Sequence, residues 1–376
     1  MRTRSRIGAR TRTPAGVSLF ATLLVSITAM AEPVTLFIGT GGKGAEGIYR
    51  TTLDTANGKL SDPELAVELG SPGFITLNPD KTRLYAICNI DGGSVAAYKV
   101  GEGGKLTLIN HKPIDDGGAA HLCLDNEGKI LFTAQYGAGS VAAFPVNEDG
   151  SIGDRTSLEK HSGSGPNQDR QKGPHPHSVV VSPDNRFLFV PDLGIDKVMI
   201  YEIDHDSAII KPHGHGTGVP GGGPRHMKFS PDGTKIYLLN EMLLSVTTFD
   251  YDAKAGTMKE VQTIETLPDS MKEIPNKAAE IRMHPSGKFV YASNRGHDSI
   301  TAFAVDVATG ELELVDREAI RGSWPRNFNI SPDGKWLIAA GRYSNTLSVF
   351  EIDQNTGGLK FSGNVVNCPA PICVAY

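Results

Sequence analysis

The chain has 376 residues, 39% of them hydrophobic and 21% charged, with a formal net charge of -5. This is ordinary soluble composition, enough for one large domain or two small ones, and its mildly acidic balance argues against nucleic-acid binding. Its 43 glycines, roughly 11% against an average of about 7%, imply many tight turns.

The N-terminus comes first. Arg2, Arg4, Arg6, Arg10 and Arg12 form a cationic head, followed by the apolar run AGVSLFATLLVSITAM. That run is too short for a comfortable membrane span, and Ala29-Met30-Ala31 has the small-x-small pattern of a signal-peptidase site. The expectation is a signal peptide over 1–31, with a periplasmic or secreted product and no stable membrane insertion after cleavage. No twin-arginine pair is present, which favours the general secretion route.

From residue 74 onward one pattern recurs: FITLNPDKTRLYAICN (74–89), HLCLDNEGKILFTAQY (121–136), SVVVSPDNRFLFVPDL (178–193), HMKFSPDGTKIYLLNE (226–241), EIRMHPSGKFVYASNR (280–295) and NFNISPDGKWLIAAGR (327–342). Each is an apolar run, a Pro-Asp-Gly-like turn and a second apolar run, which reads as two antiparallel strands. A Ser-Val-like restart, as in SVAAYKV or SVTTFDY, supplies a third strand, and a Gly turn leads to a fourth. The turns, placed at residues 79, 125, 183, 231, 285 and 332, recur every 46–58 residues. Four strands at that period predict a β-propeller blade.

The chain ends supply a seventh blade. LFIGTGGKGAEGIYR (36–50) reads as second and third strands without a first, and PAPICVAY (369–376) as a first strand without the rest. Joining them closes the ring and removes free sheet edges. The expected fold is therefore all-β, a seven-bladed propeller over residues 32–376 with four-stranded antiparallel blades. An open two-domain β structure is the alternative, which the even spacing disfavours. Of the four cysteines, Cys88 and Cys123 read as buried free thiols, whereas Cys368 and Cys373 are near enough in sequence for a disulfide in an exported protein.

In a propeller the first strand of each blade lines the central channel, so its start and the end of the second strand emerge at the same face. Six residues before each turn position stand Gly73, Ala119, His177, Arg225, Ala279 and Arg326; ten residues after it stand Asn89, Gln135, Leu193, Glu241, Arg295 and Arg342. A ring of arginines with one carboxylate and an imidazole is a candidate anion site containing a base. Solvated ion pairs between blades are the competing explanation. Glu241 and His177 are the candidate acid–base pair, with Arg225 and Arg295 beside them. Arg326, Arg342, Gln135 and His226 are the candidate substrate-binding residues. His175 reads as a loop residue just outside the channel. Neither His175/His177 nor His213/His215 has an obvious third ligand, so no metal or other cofactor is expected. No phosphate-binding Gly loop, Gly-x-Ser-x-Gly elbow or zinc-protease motif occurs.

The blocks PHSVVVSPDNRFLFVPDLGIDKV, GPRHMKFSPDGTKIYLLNE, AAEIRMHPSGKFVYASNR and PRNFNISPDGKWLIAAG carry a further likeness. From the first to the last they span about half of the chain beyond Ala31, and through them the sequence resembles the seven-bladed propeller lactonase family, typified by bacterial 6-phosphogluconolactonase and related in fold to carboxymuconate lactonizing enzyme. The resemblance implies a hydrolase that opens a sugar lactone or another small anionic sugar derivative. It implies a cleft in which His177, Arg225, Glu241 and Arg295 act together, with Arg326 matching a further family arginine. An export signal departs from the cytosolic phosphogluconolactonase pattern, which leaves the substrate open. The alternatives are an exported binding or scaffold propeller and a lactone-forming cycloisomerase; a monomer or weak dimer is expected.

Overall fold

The computed structural model describes residues 1–3, 8–9, 33–271 and 274–376. The expected leader and its cleavage site fall almost wholly outside the described residues. Seven antiparallel sheets account for the rest. Blade 1 joins Pro371–Ala375 to Val34–Thr40 and Gly47–Asp54. Its outer strand is split into Lys59–Leu60 and Glu64–Glu68 around Pro63, which has no N–H to offer a ladder. Blades 2 to 7 begin at Ile75–Leu77, His121–Leu124, Val180–Val181, Pro224–Phe229, Lys277–Met283 and Pro325–Ile330. Each adds three further strands in chain order. Phe37 pairs with Ala375 and Ile38 with Val374, so the two ends of the chain close the ring as expected.

The turns explain why these segments reverse. In blades 5 and 7, Gly233 and Gly334 hold φ of 70° and 74°, a left-handed conformation that glycine adopts without strain. Ser230 and Ser331 hydrogen-bond the Asp two residues on and cap the turn.

The core is divided by blade junction. Successive residues of a strand face opposite sides of its sheet, and in a propeller both sides meet a neighbouring blade. Ile236 and Leu238 thus pack toward blade 4 with Phe187 and Phe189, while Tyr237 and Leu239 pack toward blade 6 with Ile281 and Val290. Seven such clusters occur among the described residues, one at each junction. This is why the middle strands read as continuous apolar runs. All four cysteines are free thiols: Cys88, Cys368 and Cys373 are buried and Cys123 is partly so. The Cys368–Cys373 disulfide considered from sequence is not formed, because Cys368 packs at the blade 7–1 junction and Cys373 at the blade 1–2 junction.

One irregularity recurs where it matters. Strand pairing slips by one residue between Pro224 and His226, between Ala278 and Ile281, and between Pro325 and Asn327. A bulge of this kind leaves a residue out of the ladder and re-aims its side chain. Arg225 and Arg326 occupy two of these positions.

Candidate active site

At the mouth where the innermost strands begin, Glu241 is the hub. Its carboxylate lies 2.9 Å from Arg225 Nε, 2.9 Å from an Arg295 terminal nitrogen and 2.9 Å from an Arg170 terminal nitrogen. Arg225 also donates to Ala279 O, and Arg295 to Ala278 O at 2.8 Å, so both guanidiniums are buried and pinned to blade 6. Burial by itself would raise the Glu241 pKa. The charges of Arg295 and Arg225, then His177 and the Arg170 hydrogen bond, outweigh it and hold the carboxyl well below its usual range. Glu241 is thus a committed anion and a weak base.

His177 is buried beside this hub, and its Nδ1 has no hydrogen-bond partner. Burial first, then Arg225 and His226, hold its pKa well below the ordinary imidazole value, so the ring is neutral at neutral pH. The His226 ring is 5.2 Å away and Tyr136 meets it edge-on at 5.5 Å. His177, Arg225, His226 and Arg326 line a cavity of about 160 Å³, closed on the other side by Gly73, Ala119, Ala120 and Ile372. That is below the roughly 300–1,000 Å³ of drug-sized pockets, which suits a small ring compound.

Arg326 differs from the other arginines. No hydrogen bond or ion pair engages its guanidinium among the described residues. Burial, then the repulsion of Arg295 and Arg342, push its pKa down to about 10, still charged at neutral pH. Against Glu241 the mouth thus carries Arg170, Arg225, Arg295 and Arg326, and its surplus charge favours an anion.

Two expected binding residues do not line this cavity. Arg342 spends Nε and a terminal nitrogen on Gly41 O, at 3.2 and 3.0 Å, at the blade 7–1 junction. Gln135 is fully buried inside blade 3, where it donates to Thr133 Oγ1 and accepts from Ser140 Oγ at 3.2 Å. Its counterparts are the buried Asn240 and Asn294, whose amides donate to hydroxyls of the next strand, Asn240 to Ser245 and Thr247 and Asn294 to Ser299 and Thr301. The cause is a register error of one. In blade 3 the turn is Asp125-Asn126-Glu127-Gly128, and Asp125 N bonds Ile130 O just as Ser230 N bonds Lys235 O. Asn126, not Asp125, therefore matches the turn proline, and a slip of one residue in a strand exchanges its faces.

Corrected, the blade 3 counterpart of Glu241 is Tyr136. Its hydroxyl accepts from Arg170 at 3.2 Å and its ring stacks on His175 at 4.5 Å. Arg170 comes from the segment 162–174, which reads in sequence only as a Gly/Ser-rich connector. Gln171, buried, anchors that segment by donating to Leu193 O at 2.8 Å and Asp196 Oδ1 at 2.6 Å. Asn167 N donates back to Gln171 Oε1 at 3.0 Å. His175 does not line the cavity; its backbone N donates to Asp192 Oδ1 at 2.7 Å and its Nδ1 pairs with Tyr136 O at 2.8 Å.

A model of the family described as "Lactonase, 7-bladed beta-propeller" matches residues 35–376. The chain belongs to the seven-bladed β-propeller lactonases. It is 37% identical over 343 residues to 6-phosphogluconolactonase of Bacillus subtilis, which covers 90% of this chain and 97% of that one. It is 31% identical over 306 residues to 6-phosphogluconolactonase of Formosa agariphila, covering 78% of this chain and 86% of that one. Among solved structures, the periplasmic gluconolactonase of Pseudomonas aeruginosa superposes with a TM-score of 0.86 at 30% identity, covering 91% of this chain and 98% of that one. In this lactonase-family chain, as in any propeller, the fold itself does not name the substrate; the charge and size of the cleft narrow it.

Proposed function

We propose that the protein hydrolyses a small sugar-derived lactone in the cavity between His177 and Arg326. The observation that carries this reading is the pairing of an unengaged guanidinium with a neutral imidazole in one small, largely desolvated cavity. Arg225 and Arg295 are already engaged by Glu241 and backbone carbonyls, which leaves Arg326 as the unengaged guanidinium that meets substrate.

Water held against His177 attacks the lactone carbonyl carbon as the imidazole takes its proton. The new C–O bond puts negative charge on the carbonyl oxygen, and the Arg326 guanidinium donates to it. Collapse of this intermediate breaks the ring C–O bond, and the departing alkoxide takes the proton back from His177, giving a hydroxy acid. The oxyanion that develops as water adds offsets the repulsion that Arg225 exerts on an imidazolium, so His177 is a stronger base at that point than in the free protein. In this division of labour Glu241 is a positioning residue that holds the arginines, rather than the base expected from sequence.

The likeness to a periplasmic gluconolactonase and the leader-like N-terminus support action outside the cytosol on an unphosphorylated aldonolactone. Among the described residues no helix is long and apolar enough to cross a membrane. The test is a panel of glucono-δ-lactone and 6-phosphoglucono-δ-lactone, followed by acid release above the spontaneous rate with a chelator present. The expected result is turnover of at least one lactone. His177→Ala should then lower kcat about 10²–10⁴-fold, and Arg326→Ala about 10²–10³-fold. Spontaneous rates across the panel, or wild-type rates in both variants, refute the reading.

A further inference from the structure

The innermost strands carry polar residues past the cleft to the opposite face. Along blade 5, Arg225 is at the cleft, His226 in the middle and Lys228 at the far end; along blade 6, Glu280 is followed by Arg282. The alternation of a strand keeps residues 226 and 228, and residues 280 and 282, on one channel-facing stripe. Phe74, His121 and His226 form a middle layer, with ring centroids 4.0 Å apart for Phe74–His121 and 5.2 Å for His121–His226. Beyond that layer lies a second cavity of about 440 Å³, larger than the cleft, lined by Lys228, Arg282, Asn329, Cys123 and Cys373, with apolar walls such as Leu122 and Val180 and polar residues such as Asn78 and Lys81 toward its edge.

The two cations there are not equally engaged. Arg282 donates to Phe328 O at 3.2 Å and lies 3.5 Å from Glu280 Oε2. The Glu280 carboxylate is already shared with His226, at 3.1 Å, and with Asn327. The Lys228 ammonium has no hydrogen bond or ion pair among the described residues. Lys228 is only partly buried, so its ammonium opens to the cavity with no counter-charge of its own, and the like charge of Arg282 disfavours it. Burial, then Arg282, push its pKa down to about 8, with Glu280 opposing them.

We propose that this far mouth of the channel is a second ligand site, separate from the cleft, which takes the oxyanion head of a small carboxylate or phosphate compound between Lys228 and Arg282. The apolar walls accept the rest of the molecule, and Asn329 offers a further polar contact beside the two cations. The site stands on the geometry of the far mouth alone and does not depend on the lactonase reading of the cleft.

The test uses inorganic phosphate and acetate as probes, titrated by calorimetry or NMR into the Arg326→Ala protein, in which the free guanidinium of the cleft is removed. Saturable binding of at least one probe in the millimolar range is expected. Adding Lys228→Met should weaken it about tenfold or more, the worth of one charged hydrogen bond, whereas Lys228→Arg should keep it within a few-fold. Phosphate binding without acetate binding assigns the site to phosphorylated compounds; binding of both assigns it to carboxylates as well. Because Lys228 makes no internal bond, Lys228→Met is expected to fold, and an unchanged circular dichroism spectrum and Tm check this. Absence of saturable binding up to about 50 mM, or binding that Lys228→Met leaves unchanged, overturns the proposal.

Discussion

Replacing Glu241 by Gln removes one negative charge and little volume, so it isolates the role of the carboxylate. In the folded protein that carboxylate faces three guanidinium nitrogens at 2.9 Å, and two of its arginine partners are buried with it. Removing one partner of a buried ion pair costs about 3–5 kcal/mol, because the remaining charges stay desolvated. Partly exposed Arg170 can relax into solvent and adds little. The expected loss at neutral pH is therefore about 3–5 kcal/mol. Its pH dependence follows from the depressed pKa of Glu241. A carboxyl ionised more readily when folded than when unfolded contributes stability that is complete above its unfolded value, near 4.3. That contribution fades as pH falls from there toward the folded value. Urea unfolding of wild type and Glu241→Gln at pH 7.5, 5.5 and 3.5 measures the difference from the midpoints at constant m-value. It should be equal at the two higher pH values and smaller at the lowest. A loss under about 1 kcal/mol, within the range of an exposed ion pair, or a difference that grows in acid, refutes the assignment of Glu241 as the anchor of the arginine cluster.

Tyr136→Phe removes the acceptor for Arg170 and should raise KM several-fold, at a stability cost of about 0.5–1.5 kcal/mol. Gln135→Ala should cost about 1–3 kcal/mol, since it unpairs buried Thr133, while Ser140 keeps its bond to Asp116 and KM stays unchanged; steady-state kinetics beside urea unfolding separate the two. His121, His177 and His226 are all buried, and burial is the leading cause that holds each below its usual pKa. Their contribution to stability is present above the unfolded imidazole value of about 6.5 and is lost as pH falls below it. Unfolding free energy should then drop by up to about 4 kcal/mol per pH unit for the three, and His121→Asn should make that slope shallower.

The propeller was legible because its signal is repeated. A single SPDG turn between apolar runs is weak, but six copies at near-constant spacing, with complementary fragments at the two ends, leave few other arrangements. The cleft residues were legible for the same reason, since His177, Arg225 and Arg326 fall at the count that the turns dictate. Tyr136 was missed because blade 3 lacks the turn proline and the count began at Asp125. Gly128, aligned with Gly233 and Gly334, would have corrected it, since all three carry the same left-handed φ, between 70° and 74°. Arg170 had no such signal. It comes from a connector with no register, and only the fixing of that connector by Gln171 brings it onto Glu241. Arg342 was placed by the count but is diverted by an open carbonyl at Gly41, a contact between residues 301 apart in sequence that no local pattern records.

The cleft depends as much on absent side chains as on charged ones. On one side of the channel mouth the equivalent positions carry Gly73 and Ala120, with Ala119 beside them; on the other they carry His177, Arg225 and Arg326. Had all the blades projected long side chains, those side chains would have met at the axis and filled it, as they do one layer deeper around Phe74, His121 and His226. Had all projected small ones, the mouth would have been an open, uncharged well. Small residues from two adjacent blades leave the space, and the facing blades supply an imidazole just ahead of the paired strand Val180–Val181 and guanidiniums at bulges where the ladder releases them. Because the strands beneath are locked at every junction by apolar packing, the charged groups are held against their mutual repulsion by the fold, and Arg326 has no counter-charge of its own until an anion enters.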